Sequence, residues 1–121
     1  MSKTMVKIKF RGQDFSGFWH KGDLIHSDEY MLIRETFFST FVKEETVGQF
    51  IGLNDKNGAE IYIDDIVRNG FGDIGRIVWY NNSVRVDWGG DDIHLIDTDD
   101  EFEVIGNIHD NHDLFIEKNN D

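Results

Sequence analysis

The most restrictive feature of this sequence is a stretch of alternating apolar and polar residues, 76–88, with two asparagines in its middle. Alternation with a period of two is typical of a strand with one buried face. Asn81-Asn82 fits a two-residue type I′ turn, because asparagine tolerates positive φ. The hairpin pairs Trp79 with Val84, and its apolar face, which we predict to be core, consists of Ile77, Trp79, Val84, Val86 and Trp88.

The beginning of the chain shows the same period. Lys7, Lys9 and Arg11 alternate with Val6, Ile8 and Phe10. This pattern predicts a strand with a cationic face and an apolar face. We interpret it as a solvated edge strand, since lysines on an edge discourage sheet-to-sheet aggregation. A docking face for an acidic partner, such as another copy, is the alternative.

Further short segments complete a mainly β prediction. Residues 30–34 and 37–42 favour strands, because Thr, Phe and Val suit a pleated surface, although one helix across 28–43 capped by Ser27 is the competing interpretation. Later strands are expected at 65–67, 92–96 and 102–108, followed by one helical turn at 110–116. A small, closed or partly open barrel buries such strands economically because it leaves no long bare edge.

Length and charge limit the class of protein. The chain has 121 residues, with 12 Lys plus Arg against 24 Asp plus Glu, and no cysteine. Disulfides, thiolate nucleophiles and cysteine-based metal sites are therefore excluded. No apolar run is long enough for a signal or a membrane span, so we expect a cytoplasmic protein with no membrane partner.

The acidity belongs to the C-terminal half. The formal net charge is about −1 up to residue 60 and about −11 beyond it. Clustered cations are needed to bind nucleic acid directly, so we expect no such binding. The candidate interaction face, which is either functional or only solubilising, consists of Asp91, Asp92, Asp97, Asp99, Asp100 and Glu101.

Residues that suggest chemistry are few. His109 and His112 are three apart and flanked by carboxylates, yet the spacing lacks the four ligands of a structural zinc site and the helical zinc motif. No serine lies in the context of an activated nucleophile. We therefore predict no catalytic residue, no cofactor and no metal, and keep a metal-dependent hydrolase as a remote alternative.

Several segments carry a resemblance to a known family. They are ETVGQFIGLNDKNGAEIY at residues 45–62, followed by 65–67, and also 8–12, Trp19 with 22–25, and 103–108 with 110–111. Together they resemble the YopX family of phage and prophage proteins over most of the chain. The resemblance implies a β-rich protein of a bacterial cell whose C-terminal part is an SH3-like barrel. It implies no biochemical activity, because the family has none established.

Two positions depart from the usual wording of the family. Asp64 stands where glycine is common, so the turn there need not require positive φ. His112 stands where proline is common, which leaves the last turn less rigid. Within residues 55–58, Asp55 is expected to bind its own backbone two residues on, and Gly58 to take positive φ.

These observations predict two parts and a tail. An N-terminal β subdomain is expected over residues 1–46, packed on a partly open SH3-like barrel over 47–116, with a disordered tail at 117–121. Sixteen Phe, Trp and Tyr side chains exceed what one small core hides, so a surface patch is expected.

That surplus of aromatic side chains favours a non-enzymatic accessory protein that forms homo-oligomers and binds a host or phage protein. The alternative is an acidic DNA mimic that inhibits a host DNA-binding protein.

Overall fold

A computed structural model describes residues 7–96 and 101–119, with side chains described to residue 115. The chain divides into two compact units, Met1–Gly52 and Leu53–Asp121, whereas the sequence predicted the first boundary a few residues earlier, after residue 46. The strands of the first unit are β1 Phe10–Gln13, β2 Trp19–His26, β3 Met31–Arg34, β4 Ser39–Val42 and the start of β5 Gly48–Asn54, with a 3₁₀ helix at Glu44–Thr46. The second unit contains β6 Glu60–Tyr62, β7 Asp65–Arg68, β8 Ile74–Tyr80, β9 Ser83–Asp87, β10 Ile93–Leu95, β11 Glu103–Asn107 and the helix α1 Ile108–Asn119.

The first unit is an antiparallel meander in which β5 returns beside β1, giving the order β4-β3-β2-β1-β5. Phe10 therefore has a partner on each side, Gly22 in β2 and Gln49 in β5. The interpretation of this segment as a solvated edge strand is wrong, because β1 is an interior strand. Arg11 is buried with its guanidinium 4.9 Å from the centre of the Trp19 ring, so it does not face solvent as its lysine-rich context suggested.

The strands predicted between residues 30 and 42 are confirmed, and the competing helix is wrong. β3 and β4 form a hairpin in which Ile33 faces Thr40. Ser27 caps no helix and instead closes the β2–β3 turn, where its N–H donates to the carbonyl of Tyr30 at 2.9 Å. Ile33 and Val42 are buried in this unit, and a Cβ at Gly12 would lie only 2.8 Å from a Val42 methyl, so the strand must carry glycine there.

In the second unit the sheet has the order β10-β9-β8-β7-β11. β7 is interior because it pairs with both β8 and β11. Within the described residues β10 and β11 are the edges of this sheet, so the mainly β class is confirmed and no closed barrel forms. The buried apolar side chains are Ile61, Tyr62, Ile66, Val67, Ile77, Val86 and Phe102.

The 76–88 hairpin has the predicted register. Trp79 faces Val84, Ile77 faces Val86, and the two turn asparagines have φ of 51° and 61°. Ile77 and Val86 are fully buried, but Trp79 is 60% exposed. The prediction that the whole apolar face is core is therefore wrong for Trp79, because this residue lies next to the turn, at the end of the hairpin.

The helix α1 is longer than the single turn that the sequence predicted. Asn107 caps it, with its side-chain oxygen accepting from the N–H groups of His109 at 3.0 Å and Asp110 at 2.9 Å. The backbone is helical to Asn119, with a kink at Asn111, so the first part of the predicted disordered tail is helical and residues 120–121 lie outside the described residues.

Among the described residues, one five-residue turn occurs three times, at 14–18, 55–59 and 69–73. Its first residue is Asp or Asn, whose side-chain oxygen accepts from the third and fifth N–H groups at 2.8–2.9 Å. Its fourth residue is a glycine with φ of 95°, 86° or 85°. The predicted behaviour of Asp55 and Gly58 is confirmed, and we call this element the Asx–Gly turn.

Candidate protein-interaction surface

Four exposed phenylalanines lie in two turns of the first unit. Phe15 and Phe18 belong to the β1–β2 turn, and Phe37 and Phe38 to the β3–β4 turn. Their exposed fractions are 76%, 69%, 93% and 57%. We call these four side chains the aromatic tip.

The meander explains why the two turns lie at one end of the sheet. β1 and β3 run in one direction and β2 in the other, since each neighbouring pair is antiparallel. The chain therefore turns at the same end after β1 and after β3. Phe15 lies inside an Asx–Gly turn, whose hydrogen bonds are made by Asp14 and the backbone, and its side chain is 76% exposed.

One side chain, His20, contacts both turns that carry the aromatic tip, through Asp14 in the first and Glu35 in the second. We call these three side chains the His20 bridge. His20 is the second residue of β2, and its Nε2 lies 2.8 Å from Oδ2 of Asp14 and its Nδ1 3.3 Å from Oε1 of Glu35. Asp14 opens the first turn, and Glu35 opens the second, where its N–H donates to the carbonyl of Phe38 at 2.8 Å. All three side chains are largely shielded from solvent.

Mutual stabilisation of opposite charges shifts two pKa values in this bridge. The hydrogen bond from His20 holds the pKa of Asp14 below its ordinary value of 3.8, and the N–H of Phe18 acts in the same direction. The hydrogen bond to Asp14 raises the pKa of His20 above 6.5, against partial burial, and Glu35 adds to the increase. The His20 bridge is thus strongest with a charged ring between two carboxylates.

The two units differ completely in net charge. Residues 1–52 contain seven Lys plus Arg and seven Asp plus Glu, so the first unit is formally neutral. Residues 53–121 contain five cations and seventeen carboxylates, so they hold the whole formal charge of −12. The aromatic tip therefore belongs to the formally neutral unit, in which charge repulsion does not oppose association.

The predicted acidic face is only partly within the described residues. Asp91 and Asp92 are exposed in the β9–β10 turn, where Asp92 contacts His94, and Glu101 is exposed before β11. The other three members of the predicted face, Asp97, Asp99 and Asp100, lie outside the described residues.

The two histidines that the sequence suggests as metal ligands contact different carboxylates. Nε2 of His109 lies 3.3 Å from Oδ2 of Asp64, whereas Nε2 of His112 lies 3.2 Å from Oδ1 of exposed Asp113. In the part of the chain that the structure describes, no group of three or more His, Asp and Glu side chains is placed to hold a metal ion.

The backbone conformation of Asp64 differs from the one that the sequence predicted. Its φ is 77°, so the turn before β7 does require the left-handed region, and the expectation that this turn need not require positive φ is wrong. The carboxylate compensates for this strain, since Oδ1 accepts from Arg76 Nη2 at 2.8 Å and Nε at 3.3 Å.

The fold and these surfaces define a small, mainly β protein of two antiparallel units with an exposed aromatic end. In a comparison with protein-family models, the family described as YopX protein matches residues 7–115. The chain belongs to the YopX family. No curated protein matches the sequence. No helix among the described residues is long and apolar enough to cross a membrane.

Sequence reasoning anticipated a surplus of aromatic side chains but not where it lies. The available signal was local: Asp14 and Gly17 mark an Asx–Gly turn, and a phenylalanine inside such a turn has no core to enter. The His20 bridge gave no comparable signal, because its contact with Glu35 depends on the register of β2 and β3.

Proposed function

We propose that this protein is a non-enzymatic accessory protein of a phage or prophage, active in the bacterial cytoplasm, that self-associates through the aromatic tip. The observation that carries the proposal is the exposure of four phenylalanines on two joined turns. Soluble proteins rarely expose large apolar side chains together unless another molecule covers them.

Charge favours a second copy as the partner. The first unit is formally neutral, so two copies can approach through it without the repulsion that the seventeen carboxylates of the second unit would cause. A host or phage protein with an apolar site is the other partner that this surface fits.

The available area sets the strength of the expected contact. Burying a phenylalanine completely removes about 150–250 Å² from solvent, so four largely exposed ones bury roughly 500 Å² per copy. That total, about 1,000 Å² for two copies, is at the lower limit for a specific interface. We therefore expect a weak, concentration-dependent dimer rather than an obligate one.

Sedimentation velocity over a concentration series tests this proposal. The wild type should show a dimer that increases with concentration, and the double variant Phe15→Ser/Phe37→Ser should be monomeric throughout. Phe71→Ser is the matched control, because Phe71 is as exposed as Phe37 and lies in an Asx–Gly turn of the second unit. A monomeric wild type, or loss of the dimer in the control alone, contradicts the proposal.

A second candidate function rests on the charge of the second unit. Its seventeen carboxylates, among them Asp91, Asp92 and Glu101, suit an acidic mimic of DNA that blocks a basic DNA-binding protein of the host. Such a mimic should displace fluorescent duplex DNA from its target, and about 0.5 M salt should abolish the displacement. Displacement that persists at high salt, or in the variant Asp91→Asn/Asp92→Asn/Glu101→Gln, contradicts an electrostatic mimic that uses this face.

A further inference from the structure

We infer that the aromatic tip is controlled by a proton: protonation of His20 joins its two turns, so self-association strengthens as the pH falls from alkaline values toward neutrality. This inference rests on the proposed function, because it describes how the same surface is regulated. It is carried by the geometry of the His20 bridge, in which one ring links the two turns that carry all four phenylalanines.

The number of N–H groups on the His20 ring decides how many carboxylates the ring can bind at once. Each ring nitrogen of His20 faces a carboxylate oxygen, which only accepts hydrogen bonds when ionised. A neutral imidazole has one N–H, so it donates to one carboxylate and turns a lone pair toward the other. Only the imidazolium donates to Asp14 and Glu35 together. Loss of the proton therefore breaks one of the two links and leaves a repulsive contact in its place.

The two contacts of His20 differ in length, and the longer one is expected to break when the ring loses its proton. The contact with Asp14 is 2.8 Å and the contact with Glu35 is 3.3 Å. Asp14 is also fixed by the N–H groups of Ser16 and Phe18, so its position does not depend on the histidine. We therefore expect the neutral ring to keep its bond to Asp14 and to release Glu35, with the turn that carries Phe37 and Phe38.

The other elements around His20 leave these two carboxylates as the decisive charges. β1 places Gly12 opposite His20. β3 ends at Arg34, whose guanidinium binds Asp23 at 3.2 Å. Lys21, the next residue of β2, has its side chain on the opposite face because successive residues of a strand alternate. The raised pKa of His20 agrees with a ring that faces carboxylates from two turns.

The variant Glu35→Gln tests the bridge directly, because it replaces a group that only accepts hydrogen bonds by one that can also donate. In Glu35→Gln the introduced amide has an NH₂ group, which donates to the unprotonated nitrogen of a neutral ring. The bridge is then complete without the proton. We expect this variant to associate at alkaline pH as the wild type does near neutrality, and to lose its pH dependence.

The experiment compares dimer dissociation constants by sedimentation velocity at about pH 6 and about pH 9, on either side of the titration of histidine. We expect wild-type association to be at least about fivefold tighter at the lower pH, the lower end of typical coupling between sites. His26→Gln is the matched control, since His26 lies at the far end of β2, paired with Met31, and does not join the two turns. It should keep the pH dependence, whereas Glu35→Gln and His20→Gln should lose it.

The outcomes distinguish failure of the pH control from failure of the proposed self-association. Association that is equally tight at both pH values overturns the inference and leaves self-association intact. A monomeric wild type at both pH values overturns the proposed function and the inference with it. A pH dependence that survives in Glu35→Gln and His20→Gln but disappears in His26→Gln assigns the proton to another group and also overturns the inference.

Discussion

The turns at Asp14 and Asp55 have the same backbone and different uses. In each, Oδ1 of the aspartate accepts from the third and fifth N–H groups, and the fourth residue is a glycine with positive φ. The difference lies in the second oxygen. Oδ2 of Asp55 accepts from the backbone N–H of Val104 at 2.9 Å, whereas Oδ2 of Asp14 faces the ring of His20 at 2.8 Å.

This difference separates a permanent link from a titratable one. A backbone N–H donates at every pH, so the Asp55 turn stays bound to β11 as long as the carboxylate is ionised. Burial alone would raise the pKa of Asp55, but three backbone N–H groups reverse the effect and hold that pKa below 3.8. The bridge that runs from Asp14 through His20 to Glu35 depends on the proton of His20 as well. The same turn thus serves stability in one unit and a surface in the other.

The largest expected effect on stability comes from replacing Oδ2 of Asp55 while Oδ1 is kept. Asn69 shows that asparagine builds the same turn, so aspartate-to-asparagine changes keep the turn and alter only Oδ2. We expect Asp55→Asn to lower the free energy of unfolding by about 2 kcal/mol, because an amide NH₂ then faces the N–H of Val104. Urea denaturation measures this change.

Asp14→Asn is the matched comparison. Its change in unfolding free energy should be clearly smaller, and the pKa of His20, followed by NMR of the ring, should fall toward 6.5. Equal destabilisation by the two variants would mean that the two turns have the same role.

The pH dependence of stability should differ between the units. A lowered carboxyl pKa stabilises above its unfolded value and loses that contribution as the pH falls through the folded value, so Asp55, Asp14 and Glu103 all contribute a loss in acid. The raised pKa of His20 acts in the opposite direction: its contribution is complete below 6.5 and disappears as the pH rises through the folded value.

Hydrogen exchange at several pH values measures that difference. Protection of the turn at residues 35–38 should decline on both the acid and the alkaline side, and protection around Asp14 and Asp55 only on the acid side. Protection at residues 35–38 that is unchanged across the histidine range would contradict the His20 bridge.

The smallest expected effect on stability comes from the fourth-position glycine that the three Asx–Gly turns share. A Cβ at Gly17, Gly58 or Gly72 meets no atom within 4 Å, so alanine costs only the strain of positive φ, about 1 kcal/mol at each position. Gly70 has equally open surroundings without positive φ, so Gly70→Ala should be close to neutral. Thermal or urea denaturation compares the four, and a clearly unequal cost among the three turn glycines would show that the turns are not equivalent.

Local sequence signals predicted the parts of this fold whose partners are close in the chain. The 76–88 hairpin and its register follow from alternation around two asparagines, and the Asp55 turn follows from its own residue types. Pairing between distant segments gave no such signal. The interior position of β1 depends on its pairing with residues 48–49, which nothing in its lysine-rich pattern indicated.

The candidate surface was predictable in kind but not in place. Counting aromatic residues indicated a patch, yet alternation assigned Trp79 to the core although it lies at the exposed end of its hairpin. Asp64 shows the opposite failure, because propensity alone argued against positive φ, and contacts with Arg76 stabilise it there. In both cases a tertiary position overrode a local preference.

Concentration-dependent backbone NMR tests self-association through the aromatic tip most directly. On dilution of the wild type, we expect the amide signals of residues 14–18 and 35–38 to shift together, while those of the Asx–Gly turn at 69–73, with equally exposed Phe71, stay constant. Shifts confined to the second unit, or no shift at any concentration, would contradict self-association through this surface.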